Sequence, residues 1–157
     1  MIATDEAEVF MGQGFQTTID HRGVLSIYIP STGYESVRIT CILVIHLDGK
    51  KAPPLIITNG KKNNIERFSG ICVLETEKVW CTQSDLRKWI NLMVPLVLQG
   101  NQKGLFILDS TSTHRAKDIK IGYRRIDQII ILVGMIAYLQ TLDIAINNLF
   151  KDQLRLK

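Results

Sequence analysis

The stretch Leu105-Phe106-Ile107-Leu108-Asp109-Ser110-Thr111-Ser112-Thr113-His114 is a short apolar run that stops on a carboxylate and turns polar at once. The apolar residues behind Gly104 are too few for a helix, and the Ser/Thr cluster after them is loop chemistry. A buried strand is therefore expected, with Asp109 at its C-terminal tip. Open α/β sheets place their ligands outside the carboxyl ends of strands, where rigid backbone presents a side chain at a fixed position. The plainer alternative for a strand-end Asp is that it caps the following turn through its own backbone.

Working outward, the 157 residues, 46% hydrophobic and 22% charged, suffice for one globular domain with a sizeable core and speak against disorder. The formal charge of +4 leans towards a polyanionic partner without requiring one. Cys41, Cys72 and Cys81 form no C-x-x-C and have no His at zinc-ligand spacing, which points to a reducing compartment and inert, buried thiols. Met1-Ile2-Ala3-Thr4 runs straight into Asp5, Glu6 and Glu8 and is not a signal peptide. The longest apolar run, Ile129 to Leu139, is about half of the ~20 residues that a membrane-spanning helix needs, so no membrane association is expected. Without repeats or linker-like tracts, residues 1–157 read as a single domain. Its abrupt start on a core strand suggests a parent truncated at the N-terminus.

Taken in order, Asp5 lies on a first strand that closes at Gly12-Gln13-Gly14, and Leu25 to Ile29 read as a short strand. Val37 to Leu47 should be a central strand: Val37, Ile39, Cys41, Leu43, Ile45 and Leu47 share one face, and Ile42 and Val44 are apolar on the other. Asp48-Gly49 predicts a tight two-residue reversal into a return strand, Leu55 to Thr58, behind Pro53-Pro54. Asn59 to Asn64 is a basic loop whose Lys61 and Lys62 either contact phosphate or are merely solvated. A helix follows, with Thr82 and Asp85 spaced as a capping box and Leu86, Trp89, Ile90, Met93 and Val97 at helical intervals; Pro95 should kink or end it. The Trp89 stripe reads as core rather than as a base-stacking platform, and for Trp80 both readings stay open. Arg115 to Arg125 read as a short basic helix, Gln128 to Val133 as a buried strand, and Leu142, Ile146, Leu149, Phe150 and Leu154 as one amphipathic terminal helix.

Asp5, Asp109 and Asp143 are remote in sequence, yet they would converge if the first and fourth strands were neighbours. Crowded carboxylates repel one another and are normally tolerated only around divalent cations. Oxygen donors suit Mg2+ or Mn2+, and a pair of ions ~4 Å apart can drive phosphodiester cleavage and strand transfer. Each acid also has a plain reading of its own: a strand-end acid, a turn acid, and an acid favoured by a helix N-terminal dipole.

Several stretches together resemble the catalytic domain of pogo/Tigger-type transposases, the DDE superfamily endonucleases within the Tc1/mariner group. They are Ala3-Thr4-Asp5-Glu6, Ser31-Thr32-Gly33-Tyr34-Glu35, Asp48 to Pro54, Leu108-Asp109-Ser110 with His114, and Leu139-Gln140-Thr141-Leu142-Asp143 leading to Asn147 and Phe150-Lys151-Asp152. The resemblance covers nearly the whole chain. It implies an α/β, ribonuclease H-like fold: a mixed central sheet whose first three strands are antiparallel, with flanking helices. It implies a catalytic and metal-binding triad at Asp5, Asp109 and Asp143, two bound Mg2+ or Mn2+ ions, DNA as the partner and cut-and-paste chemistry in a nucleus. His114 matches a position near the second Asp that contacts substrate phosphate or the metal shell, with a solvent-facing turn histidine as the alternative. Arg115, Lys61 and Lys62 join it as candidate substrate contacts. No small-molecule cofactor is expected, and homodimerisation stays open. The chain departs from the pattern before its third Asp, where Leu132-Val133-Gly134, Ile136-Ala137 and Thr141 replace polar and loop-forming residues. The helix-turn-helix region that precedes this domain in such transposases is not in the sequence, and an inactive relic or domesticated module serving DNA or protein association is the competing expectation.

Overall fold

The computed structural model describes residues 1–12, 19, 21–26, 33–34, 36–97, 103–111, 120–121 and 124–155, with the backbone alone at 94–97, 120–121, 124–125, 141, 143 and 155. The strands are β1 (Ile2–Phe10), β2 (Arg38–His46), β3 (Leu55–Asn59), β4 (Ile65–Phe68), β5 (Ile71–Thr76), β6 (Gly104–Leu108), β7 (Lys120–Ile121) and β8 (Arg124–Ile130). The helices are α1 (Gln83–Val97), α2 (Ile136–Leu139), α3 (Thr141–Ala145) and α4 (Asn147–Arg155). The strands lie in the order β4-β5-β3-β2-β1-β6-β8-β7. β1, β2 and β3 form an antiparallel meander, whereas β6 runs parallel to β1 and β8 parallel to β6. The protein is thus a mixed α/β sheet with a few helices.

Period-two alternation gives the sheet two apolar faces. Ile2, Ile42, Val44, Leu55, Ile57, Cys72, Leu74, Phe106, Leu108 and Ile126 form one cluster with Leu86, Trp89, Ile90 and Met93 of α1. The capping box forms as expected: the Asp85 amide donates to Thr82 Oγ1 (3.3 Å), and the Thr82 amide (3.3 Å) and hydroxyl (2.6 Å) donate to Asp85 Oδ2. Pro95 does not stop the helix, which runs two residues past it to Val97. On the opposite face, Leu43 and Ile45 of β2 line a cavity of about 200 Å³ together with Leu142, Ile146 and Phe150, and β2 is central in the sheet, between β1 and β3.

Several expectations change. Between the basic loop and α1 the chain forms a hairpin, β4–β5, rather than passing directly into a helix. Ser69-Gly70 makes its two-residue turn, with Gly70 at φ +81°, and β5 slots between β3 and β4, parallel to β3. The apolar run Ile71-Cys72-Val73-Leu74 behind a Ser-Gly turn was the available signal. Leu25 and Ser26 are outside any strand, and the rest of that expected strand lies outside the described residues. The expected basic helix is strand at Lys120–Ile121 and Arg124–Arg125. β8 begins earlier than the expected Gln128 to Val133, ends at Ile130 and is not buried throughout: Ile129 is exposed, and so are Leu132 and Val133 beyond its end. β6 covers β8 along one edge, and the two-residue β7 covers only the start of the other. The terminal helix is divided at Ile146 (φ −119°), and Leu149 and Leu154 face solvent.

The reversal after β2 is a three-residue loop, Leu47-Asp48-Gly49, rather than a two-residue one. Gly49 N–H donates to His46 O (2.9 Å), His46 N–H to Lys50 O (2.9 Å), and Gly49 takes the left-handed conformation at φ +81°. The Asp48 carboxylate accepts from the Lys50 ammonium (2.9 Å) and amide (3.0 Å) and lies 2.6 Å from His46 Nδ1. The Lys50 side chain first, then its amide and His46, hold Asp48 far below the usual carboxylate range. Cys41, Cys72 and Cys81 are free and buried, as expected, and burial pushes the Cys41 thiol up to about 11.

Removing Trp89, the largest side chain of the core, should cost about 3–5 kcal/mol in a Trp89→Ala variant, against about 0.5–1.5 kcal/mol for Ile57→Val. Urea denaturation reads both, and a Trp89→Ala loss no larger than that of Ile57→Val would mean that α1 is not docked on the sheet. Because its folded value is depressed, Asp48 contributes stability above its unfolded pKa of ~3.9, and the contribution is lost as pH falls below it. Melts of Asp48→Asn should therefore show a shallower acid limb than the wild type.

Candidate active site

β1 and β6 are hydrogen-bonded over a short ladder, Ile2↔Phe106 and Ala3↔Ile107. Two residues further along that register, Asp5 stands level with Asp109, just beyond the end of β6, where β1 runs on paired with β2. Alternation puts Ile2 and Phe106 towards α1, so Asp5 and Asp109 belong to the opposite face, the one covered by α3 and α4. Asp5 is only 5% exposed, in mid-strand and opposite Leu43 of β2. Asp109 is half-buried, and its Oδ1 accepts the Thr111 hydroxyl (2.7 Å) and the Thr111 amide (3.1 Å). The turn-capping alternative is therefore realised at Asp109, and it orients the carboxylate rather than removing it from the site.

Asp143 is the third residue of α3, which contacts β1. Its side chain lies outside the described residues. One helical turn later the Asn147 side-chain amide donates to Asp5 Oδ2, and Asn147 is itself 5% exposed. The helical turn bearing Asp143 is thus brought to the face of the sheet that Asp5 occupies. Sequence reading noted Asn147 within a motif and gave it no role; its spacing of four from Asp143 was the available signal. Gln140, the residue before α3, is 4% exposed, and neither side-chain amide atom has a hydrogen-bond partner among the described residues.

The remaining candidates are scattered. His114 and Arg115 lie outside the described residues. Lys61 borders a cavity of about 410 Å³ with Lys78, Trp80 and Lys88, whereas the Lys62 ammonium sits between Glu66 (3.3 Å) and Glu75 (3.7 Å). Trp80 proves to be a surface residue, 54% exposed, with the Arg38 guanidinium 5.0 Å from its ring centre. Leu132 and Val133 are exposed and Ile136 is half-buried, so the departures from the expected pattern put apolar side chains on the connection into α3. Among the described residues, no group of three or more His, Cys, Asp or Glu side chains could hold a metal ion.

The sequence profile of the DDE superfamily endonucleases matches residues 36–157, and the chain belongs to that family. Its relatives include proteins described as "Pogo transposable element with KRAB domain" in Mus musculus and Homo sapiens, 27% and 26% identical over 96% of this chain. The chain spans about a quarter of the length of each, 26%. No solved structure matches it significantly.

Asp109→Asn keeps an acceptor for the Thr111 bonds and removes one of two like charges on neighbouring strands. It should raise metal-free stability by about 0.2–1 kcal/mol, the scale of such cross-strand repulsion. An unchanged melting temperature would mean that the two carboxylates do not sense each other.

Proposed function

We propose that this chain is the ribonuclease H-like catalytic domain of a pogo-type transposase, acting on DNA in the nucleus. In this reading the first three strands and the two parallel strands beyond β1 are the ribonuclease H-like core, and the β4–β5 hairpin extends it. The single observation that carries the reading is the register setting Asp5 level with Asp109 at the C-terminal end of β6, on the face to which Asn147 ties the last helices.

The donor set suits Mg2+ or Mn2+: hard carboxylate oxygens, one of them in a buried side chain whose charge calls for a cation. Asp5, Asp109 and Asp143 would hold the ions. When bound, such ions supply activation of a water or a 3′-hydroxyl and stabilisation of the leaving oxygen in phosphodiester hydrolysis and strand transfer. The protein's own contribution is positional. Asp5 is fixed by β1 and Asn147, Asp109 by its bonds from Thr111, and the backbone of Asp143 by α3. His114, Arg115, Lys61 and Lys62 are the candidate contacts to substrate phosphates; of these, Lys62 has two acidic neighbours to give up first.

Purified protein incubated with supercoiled plasmid and Mn2+ should nick it, with the activity abolished by chelator and by Asp109→Asn, whose fold is checked by circular dichroism. Activity equal in wild type and Asp109→Asn would overturn the reading. A second reading, a non-enzymatic module for DNA or protein association, is favoured by the apolar exposure of Leu132, Val133, Met135, Tyr138 and Leu139 beside the site. It predicts no metal-dependent nicking at all.

A further inference from the structure

We propose that Asn147 is a positioning residue for Asp5: its amide fixes the rotation of the Asp5 carboxylate towards a divalent cation and sets the register of the helical turn that carries Asp143. The proposal rests on the metal-site reading above. The two residues are 142 apart in sequence, so only the finished fold brings them together. Both are about 95% buried, at 5% exposure each. A hydrogen bond to an ionised acceptor in such surroundings is stronger than one made in water, and it confines the carboxylate to a narrow range of rotation.

The chemistry of the donor matters. A lysine or arginine in this place would neutralise Asp5 and compete with a cation, whereas a neutral carboxamide orients the carboxylate and leaves its charge in place. An asparagine near a helix start ordinarily accepts backbone N–H bonds through Oδ1; here the side-chain N–H reaches across to β1. The turns on either side of the break at Ile146 are joined by hydrogen bonds: Ile146 N–H donates to Leu142 O (2.9 Å) and Phe150 N–H to Ile146 O (2.8 Å). Asp143 is four residues before Asn147, so docking one sets the axial position of the other's backbone.

Calorimetric titration of the whole chain with Mn2+ tests this, using wild type, Asn147→Ala, Asn147→Gln and Asp5→Asn, with Ile57→Val as a control for general destabilisation. Asn147→Ala should weaken Mn2+ binding about 10–100-fold, the usual effect of losing a group that orients a metal ligand. Asn147→Gln, which keeps an N–H donor, should recover part of the loss. Asp5→Asn should abolish binding, and Ile57→Val should bind as the wild type does. In the wild-type chain, the Asn147 carboxamide resonances should shift when Mg2+ is added, a readout that survives any failure of the variants to fold. Wild-type affinity in Asn147→Ala together with none in Asp5→Asn would overturn the positioning role while sparing the metal site. Absence of saturable Mn2+ binding by the wild type would overturn both.

Discussion

The short parallel ladder between β1 and β6 is the constraint on which the rest of the molecule depends. Only Ile2↔Phe106 and Ala3↔Ile107 are paired, yet that register decides which residues of two remote segments stand side by side. Since side chains alternate with period two, a slip of one residue would turn Asp5 into the α1 core and Ile2 away from it. The register is held by burial rather than by hydrogen-bond number. Ile2, Phe106 and Leu108 share one buried cluster with Trp89, and a slip of one residue would exchange Ile2 for a neighbour on the other face.

The two faces of the sheet divide the work. The α1 face is an apolar layer that extends across the sheet from β5 to β8. The opposite face is thinner: Leu142, Ile146 and Phe150 line a cavity together with Leu43 and Ile45 of β2, and the polar pair Asp5 and Asn147 lies on the same face. Buried polar groups are tolerated where they find partners, and here the partnering also attaches the last helices to the sheet. Around α2 and α3 the cover ends, and Leu132, Val133, Tyr138 and Leu139 are left facing solvent.

What could be read in the sequence followed from strong local signals. The run up to Asp109, the long alternating strand of β2, the Thr82–Asp85 cap and the Trp89 stripe each carry their own periodicity or capping chemistry, and each is found where expected. The β4–β5 hairpin was missed because Ile65-Glu66-Arg67-Phe68 is half polar and only its pairing with β5 makes it a strand. The apolar residues Leu132-Val133 continue the pattern of β8 past its end at Ile130, and an apolar run does not by itself mark where a strand stops. The Asp5–Asn147 bond was illegible for a different reason: a contact between residues so far apart exists only in three dimensions. At Asp109 the turn-cap reading offered by the sequence is realised through Oδ1, and a carboxylate that accepts there keeps further lone pairs.

The three cysteines have a practical corollary. Each is shut inside the fold, and burial, aided at Cys81 by the Glu6 and Asp85 carboxylates, keeps the thiols protonated at neutral pH. Alkylating reagents attack thiolates, so in the native state they find nothing to react with. Cys41 lies on β2, Cys72 on β5 and Cys81 at the approach to α1, which spreads these latent reporters over the sheet and its helix. The order in which they become modified under mild denaturant would reveal whether this protein comes apart all at once or sheds one edge first.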